Sequence, residues 1–257
     1  MESPKNRIKE LTIVTRFFNN RPDSTPDKII DFAKRYSQMA GKVIIAINGA
    51  DDLSGSKSAL EALGIDNLII IDVCPWGKFV FPMNALVSAS ALQNPNSIML
   101  SLSVEVMIEL ESITAILAHM DDSTLVTGAL FPDHEFHPSE IVQGNGITTP
   151  WNTAAAWNLQ KLSLVGFPLA GDALFDPTRK GAGVEEVTAI ALMQKLFSGC
   201  DAKLVAVPGI AWQNDFSDNL KRLEAHRVKM ASKIQRPAEQ LARLGIPAPI
   251  IQHIAGN

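Results

Sequence analysis

The chain has 257 residues, 46% of them hydrophobic, which is enough to bury a sizeable core as one large domain. A net charge of −4 argues against broad binding to nucleic acid or to an anionic membrane. The two cysteines, Cys74 and Cys200, stand far apart without metal-ligand spacing, and no apolar run reaches the roughly 18–20 residues of a membrane span. With a polar amino-terminal stretch that does not read as a signal peptide, these features predict a soluble, disulfide-free, cytoplasmic protein.

Leu11 to Thr15 reads as a first strand and Arg16 to Pro26 as a polar loop. Thr25 and Pro26 then open a helix as N-cap and first helical position, and Ile29, Ile30, Phe32, Ala33 and Tyr36 form its apolar face. Lys42 to Ile47 is apolar without alternation, as in a parallel strand covered on both faces, and ends in the turn Asn48-Gly-Ala-Asp-Asp52. A helix over 56–63 closed by Gly64, a strand over 68–72, a helix over 81–92 and a strand over 97–102 continue the alternation. Regular alternation of this kind predicts a mostly parallel sheet sandwiched by helices. The run Ile98 to Val106 stops in small polar residues and Glu105, and apolar spacing predicts a helix from there to about Met120. Thr124 to Leu130 reads as a strand, 131–150 as a long irregular stretch, 151–164 and 184–197 as helices, 203–207 as a late strand and 217–235 as a long helix.

Several of these segments resemble GT-A glycosyltransferases of the inverting family-2 type. The first strand and loop, Ile13-Val-Thr-Arg-Phe-Phe-Asn-Asn20, resemble the family's strand and Pro-x-Tyr-Asn-like turn. Asn48-Gly-Ala-Asp51 stands where the family grips base and ribose, and Gly77-Lys-Phe-Val-Phe-Pro-Met-Asn84 resembles its Gly-x-x-x-Ala-x-Asn signature. Gly183-Val-Glu185-Glu186 resembles its Glu-Asp pair, with Lys203 to Pro208 matching the strand after it. The departure is at the Asp-x-Asp motif, which here reads Ser103-Val104-Glu105. The resemblance implies a GT-A (Rossmann-like) fold over 1–215, a nucleotide-binding half over 1–106, an acceptor half over 107–215 and a C-terminal helical extension over 216–257.

It also implies roles for single residues. Glu186 is the expected general base, taking the proton of an acceptor hydroxyl, with Glu185 beside it. Acidic residues in a first helical turn are also ordinary capping chemistry. Thr15, Arg16, Asn48, Asp51, Lys78, Asn84 and Ser103 are the expected nucleotide contacts, Arg16 by its bidentate guanidinium and Lys78 as a point charge. Glu105 is the expected ligand of a divalent cation, Mg²⁺ or Mn²⁺, since such ions bind through one or two carboxylates plus substrate phosphates. Its bland alternative is a cap on the following helix.

His134 and His137 lie in a loop without a third ligand, so a polar acceptor loop is favoured over a metal site. Trp151, Trp157 and Trp212 fit either a sugar-stacking role or the core. The basic stretch 221–236 is read by default as a solvated helix face packing on the domain, the alternatives being a helix that lies on a membrane surface, binds a partner or closes the nucleotide pocket with its cations. Peripheral membrane contact and a homo-oligomer are compatible with the sequence, but neither is indicated.

The expected function is transfer of a hexosyl group from a nucleotide-sugar donor to an acceptor hydroxyl, with inversion. The first alternative is a catalytically degenerate glycosyltransferase-like protein that binds a nucleotide or a partner. A nucleotidyltransferase ranks lower, because 16–21 lacks a Gly-rich basic phosphate loop.

Overall fold

The computed structural model describes residues 7–18, 25–49, 55–172, 184–212, 224, 228 and 230–256. Its strands are β1 (Ile8–Phe17), β2 (Ala40–Ile47), β3 (Leu68–Asp72), β4 (Ile98–Leu102), β5 (Val106–Ile108), β6 (Thr124–Ala129), β7 (Ile141–Gln143), β8 (Ala154–Asn158), β9 (Asp201–Val205), β10 (Ile210–Trp212) and β11 (Ile250–Ile254). Its helices are α1 (Asp27–Tyr36), α2 (Ser56–Glu61), α3 (Val80–Gln93), α4 (Leu110–Leu117), α5 (Leu159–Leu162), α6 (Glu185–Leu196) and α7 (Gln235–Leu244). Among the described residues a nine-stranded sheet runs β3-β2-β1-β4-β8-β6-β9-β11-β7, and β10 pairs with β5 beside it. Only β8 and β7 run against their neighbours in the large sheet, so it is mostly parallel.

The sheet divides two apolar cores, and alternation along each strand decides which side chain enters which core. Val14, Met99 and Trp157 pack on one side with Val80, Met83 and Leu86 of α3 and Ile190 and Met193 of α6. Ile13 and Leu100 pack on the other with Ile29 and Phe32 of α1 and Ile113 and Ile116 of α4. Both faces being covered, the central strands are continuously apolar, which is why the first half of the chain was legible from its pattern.

Several elements differ from expectation, among them β7, which forms within the stretch expected to be irregular. The chain does not pass from β4 straight into a helix: a turn at 103–105 and the short β5 intervene, and α4 begins only at Leu110. β5 is held by its antiparallel pairing of Val106 with Trp212, a partner too distant for local spacing to reveal. Residues 154–158, expected helical, form β8 between β4 and β6, with Ala154, Ala155, Ala156 and Trp157 fully buried. Alanine favours helix when taken alone, but two strand neighbours and burial on both faces override that small preference. The C-terminal stretch carries helix over 235–244 and then adds β11, which enters the main sheet between β9 and β7. Most of the helix expected over 217–235 lies outside the described residues.

Candidate functional site

β1, β2 and β4 are parallel neighbours, so their carboxyl ends open on one edge of the sheet. That edge is where open α/β sheets bind ligands. Asn48 follows β2 and is buried, Thr15 and Arg16 end β1, and Ser103 and Glu105 follow β4. Asp51, Gly181 and Gly183 lie outside the described residues.

Thr15 and Arg16 point to opposite faces of the sheet, because successive side chains alternate. Thr15 lies on the side of Ile13, only 2% exposed, and its hydroxyl has no hydrogen-bond partner among the described residues. Arg16 lies on the side of α3 and α6. Its guanidinium stacks on the Phe79 ring, 3.9 Å from the centroid. Four carboxylates face it: Glu185, Glu186, Asp172 and Glu105. Burial lowers the Arg16 pKa, and those carboxylates act against the shift, so the group keeps its charge.

Asp172 was not foreseen. It is fully buried in a 3-10 turn over Leu169–Asp172, and its two carboxylate oxygens accept from the backbone N–H groups of Phe79 (2.9 Å) and Val80 (3.0 Å). It therefore caps α3, an end with no capping side chain of its own, and favours it by charge as well as by hydrogen bonding. Lys78 adjoins the same turn, with Nζ 3.5 Å from the Asp172 carbonyl. No spacing rule could have found Asp172, because it reaches across 93 residues of chain.

Glu185 and Glu186 open α6 and are nearly inaccessible, at 2% and 9% exposed. Glu186 Oε1 accepts from the backbone N–H of Asn152 at 3.0 Å, a bond to another segment rather than a cap on its own helix. The turn carrying Asp172 packs closely on this start: a Cβ at Gly171 would lie 2.8 Å from the Glu185 Cα. A second cation, the buried Arg236 at the start of α7, is also faced by Glu185 and Glu186, and burial lowers its pKa. Carboxylates and guanidinium groups from β1, α6, α7, the 3-10 turn and the turn after β4 thus converge on one face.

Other expected residues are placed elsewhere. Asn84 spends its amide on the backbone of Phe167, donating to the carbonyl (2.9 Å) and accepting from the N–H (2.8 Å), so it clamps the chain before the 3-10 turn. Trp157 belongs to the core, with its indole N–H donating to Asn152 Oδ1 at 3.0 Å. Trp151 and Trp212 meet edge-on with centroids 6.1 Å apart, and Phe131 joins them. His134 stacks against Trp151, and Lys233 Nζ lies 3.1 Å from the centroid of that ring. His134 and His137 serve the 131–150 loop as backbone and side-chain partners.

The resemblance implies a divalent cation near Ser103 and Glu105. The donor set there is one half-buried carboxylate and one hydroxyl, and a fixed guanidinium faces that carboxylate. Among the described residues no three His, Cys, Asp or Glu side chains are grouped to hold a metal ion. Without substrate phosphates this donor set is too small to hold a cation, and no step below is routed through one.

No protein-family model and no curated protein matches the sequence. Solved structures do. A mannosyltransferase, PcManGT from Pyrobaculum calidifontis, in complex with GDP-Man and Mn²⁺, is 12% identical over 93% of this chain and 66% of its own, with a TM-score of 0.58. Mannosyl-3-phosphoglycerate synthase from Rubrobacter xylanophilus is 12% identical over 91% of this chain and 75% of its own, with a TM-score of 0.49. TarS from S. aureus (1–349) is 13% identical over 91% and 71%, with a TM-score of 0.47. This chain spans just under two thirds of the mannosyltransferase chain. No helix among the described residues is long and apolar enough to cross a membrane. The parallel sheet with its two antiparallel members, the helices on both faces and the mannosyltransferase likeness together identify the GT-A glycosyltransferase fold.

Proposed function

We propose that the protein transfers a hexosyl group from a nucleotide-sugar to an acceptor hydroxyl, with inversion. The observation that carries this reading is Glu186, a buried carboxylate fixed by the Asn152 N–H in a cluster with Arg16, at the site-bearing edge of a GT-A fold. In this reading the Glu186 carboxylate takes the acceptor's hydroxyl proton as its oxygen attacks the anomeric carbon. The anomeric carbon–oxygen bond to the diphosphate breaks, and the diphosphate leaves with the bonding electrons. Asn48 and Thr15, at the ends of β2 and β1, are the proposed base and ribose contacts, with Asp51 as the partner the resemblance implies. The division at 1–106 and 107–215 follows the same reading, with the aromatic group Phe131, Trp151 and Trp212 on the acceptor side.

A test is to offer the protein a panel of nucleotide-sugars, with and without Mg²⁺ or Mn²⁺. The readouts are the melting temperature and the release of nucleoside diphosphate. One donor class is expected to raise the melting temperature and to be consumed slowly. If no donor does either, the reading is lost. Ser103, neutral where the fold's relatives are expected to carry a carboxylate, favours one second reading: a nucleotide-binding protein without turnover. Stabilisation by a donor that is never consumed would select it.

A further inference from the structure

The carboxyl ends of β1 and β4 bring a cation towards the place where the expected motif would put an anion. Val14 of β1 pairs with Ser101 of β4, the last pair of this parallel ladder, and both chains leave it in the same direction, β1 to Arg16 and β4 to Ser103. Ser103 is the position at which the resemblance implies the first metal-binding carboxylate. A neutral side chain there and a guanidinium at the end of the adjacent strand are complementary, because a bound dication and a half-buried arginine close by would repel one another. The Arg16 guanidinium also lies over the Phe79 ring, 3.9 Å from its centroid, and the backbone N–H of Phe79 is tied to Asp172, the carboxylate that caps α3. A guanidinium fixed in this way is a preorganised partner for an oxyanion, and its fork matches two phosphate oxygens at once.

We propose that Arg16 supplies the charge given elsewhere in this fold to a divalent cation, so that the donor's diphosphate is bound, and its departure assisted, without a metal ion. Resting on the transferase reading above, this names the group within the site that receives the phosphate. The leaving diphosphate would accept hydrogen bonds from the guanidinium as its negative charge develops. Glu105, facing Arg16 from the turn after β4, then orients the guanidinium as an acceptor and ligates nothing.

The test is calorimetric titration of the whole chain with GDP, UDP and ADP, each in EDTA and again with Mn²⁺, and with the matching nucleosides. The wild-type protein is expected to bind one diphosphate in EDTA with an affinity that Mn²⁺ changes by less than about twofold, within the reach of ionic screening. Arg16→Gln is expected to lose about 10- to 100-fold in diphosphate affinity, the loss of charge-assisted bonds, and to leave nucleoside affinity unchanged. Binding that appears only with Mn²⁺ would overturn the metal-free inference and leave the transferase reading standing. Unchanged affinity in a folded Arg16→Gln protein would overturn it too. No binding of any diphosphate, with or without Mn²⁺, would remove both. Should the variant fail to fold, the wild-type comparison of EDTA with Mn²⁺ decides by itself.

Discussion

His134 and His253 hold consecutive carbonyls of one loop: His134 Nε2 donates to Thr149 at 3.1 Å, and His253 Nε2 donates to Thr148 at 2.9 Å. Each ring accepts at its other nitrogen, His134 from the backbone N–H of Phe131 and His253 from that of His137, both at 2.9 Å. An imidazole that donates at one nitrogen and accepts at the other must be neutral.

Acid should therefore loosen the 131–150 loop. Burial and the nearby Lys233 push the His134 pKa down from 6.5 to about 3, and burial lowers that of His253, where His137 also disfavours the charge and Glu135 and Glu140 favour it. A pKa lowered by folding means that the unfolded chain binds more protons once the pH drops below its own value of about 6.5. The stability tied to these rings is thus fully present above that pH and is lost progressively as the pH falls from 6.5 towards 3. Melting temperatures measured from pH 7.5 to 4 should decline, and His134→Gln should flatten the curve while lowering its plateau. A wild-type curve without slope between pH 6.5 and 4.5 would contradict this.

Glu186→Gln removes the proposed base but keeps an oxygen that can accept from Asn152. Transfer to the acceptor is expected to fall by about 100-fold or more, the usual weight of general-base help. Nucleotide affinity should stay within about twofold, because no part of the nucleotide is assigned to this residue and 1.4 kcal/mol would already be tenfold. Equal activity in the variant and the wild type would transfer the role away from Glu186. Glu185→Gln is the natural comparison.

Asp172 was tied above to the first turn of α3. Asp172→Ala leaves the N–H groups of Phe79 and Val80 without their acceptor in a buried place, and should cost about 1–3 kcal/mol in urea-unfolding free energy. Asp172→Asn retains one accepting oxygen and should cost less. If the two variants were equally stable, the carboxylate's second hydrogen bond and its charge would contribute nothing.

Asn84 separates two assignments. A nucleotide contact would show as weakened binding with little change in stability. The clamp on Phe167 predicts the reverse: Asn84→Ala should lose about 1–3 kcal/mol of stability and keep its nucleotide affinity. Gly166→Ala should act on the same joint, because Gly166 has φ +69° and a Cβ there would lie 2.8 Å from Asn84 Oδ1. Parallel titrations of nucleotide and urea distinguish the outcomes.

The features legible in the sequence are those that depend on near neighbours. Val43 to Ile47 announced a strand covered on both faces, and Glu185-Glu186 stood out as an acidic pair at a helix start, each within a few residues of chain. Ala154-Ala-Ala pointed the wrong way because its conformation is set by β4 and β6, and nothing local to three alanines favours a strand. Asp172 was invisible for a related reason. It sits in an unremarkable stretch and matters through N–H groups brought in by a distant element. The pairing of β1 with β4, which brings the ends carrying Arg16 and Ser103 to one edge, likewise could not be read from any single stretch.

β11 gives the fold an order in time. The edge strand β7 pairs Gln143 with Ile250, and β11 reaches the rest of the sheet through β9, so β7 joins the sheet by way of β11. During synthesis from the amino end, β1 to β4 and the helices between them can begin to assemble while β7 still lacks its partner. The loop that carries β7 must wait as well, since the ring that grips Thr148 belongs to β11. Until residues 250–254 are made, the edge of β9 that β11 covers stays open to pairing.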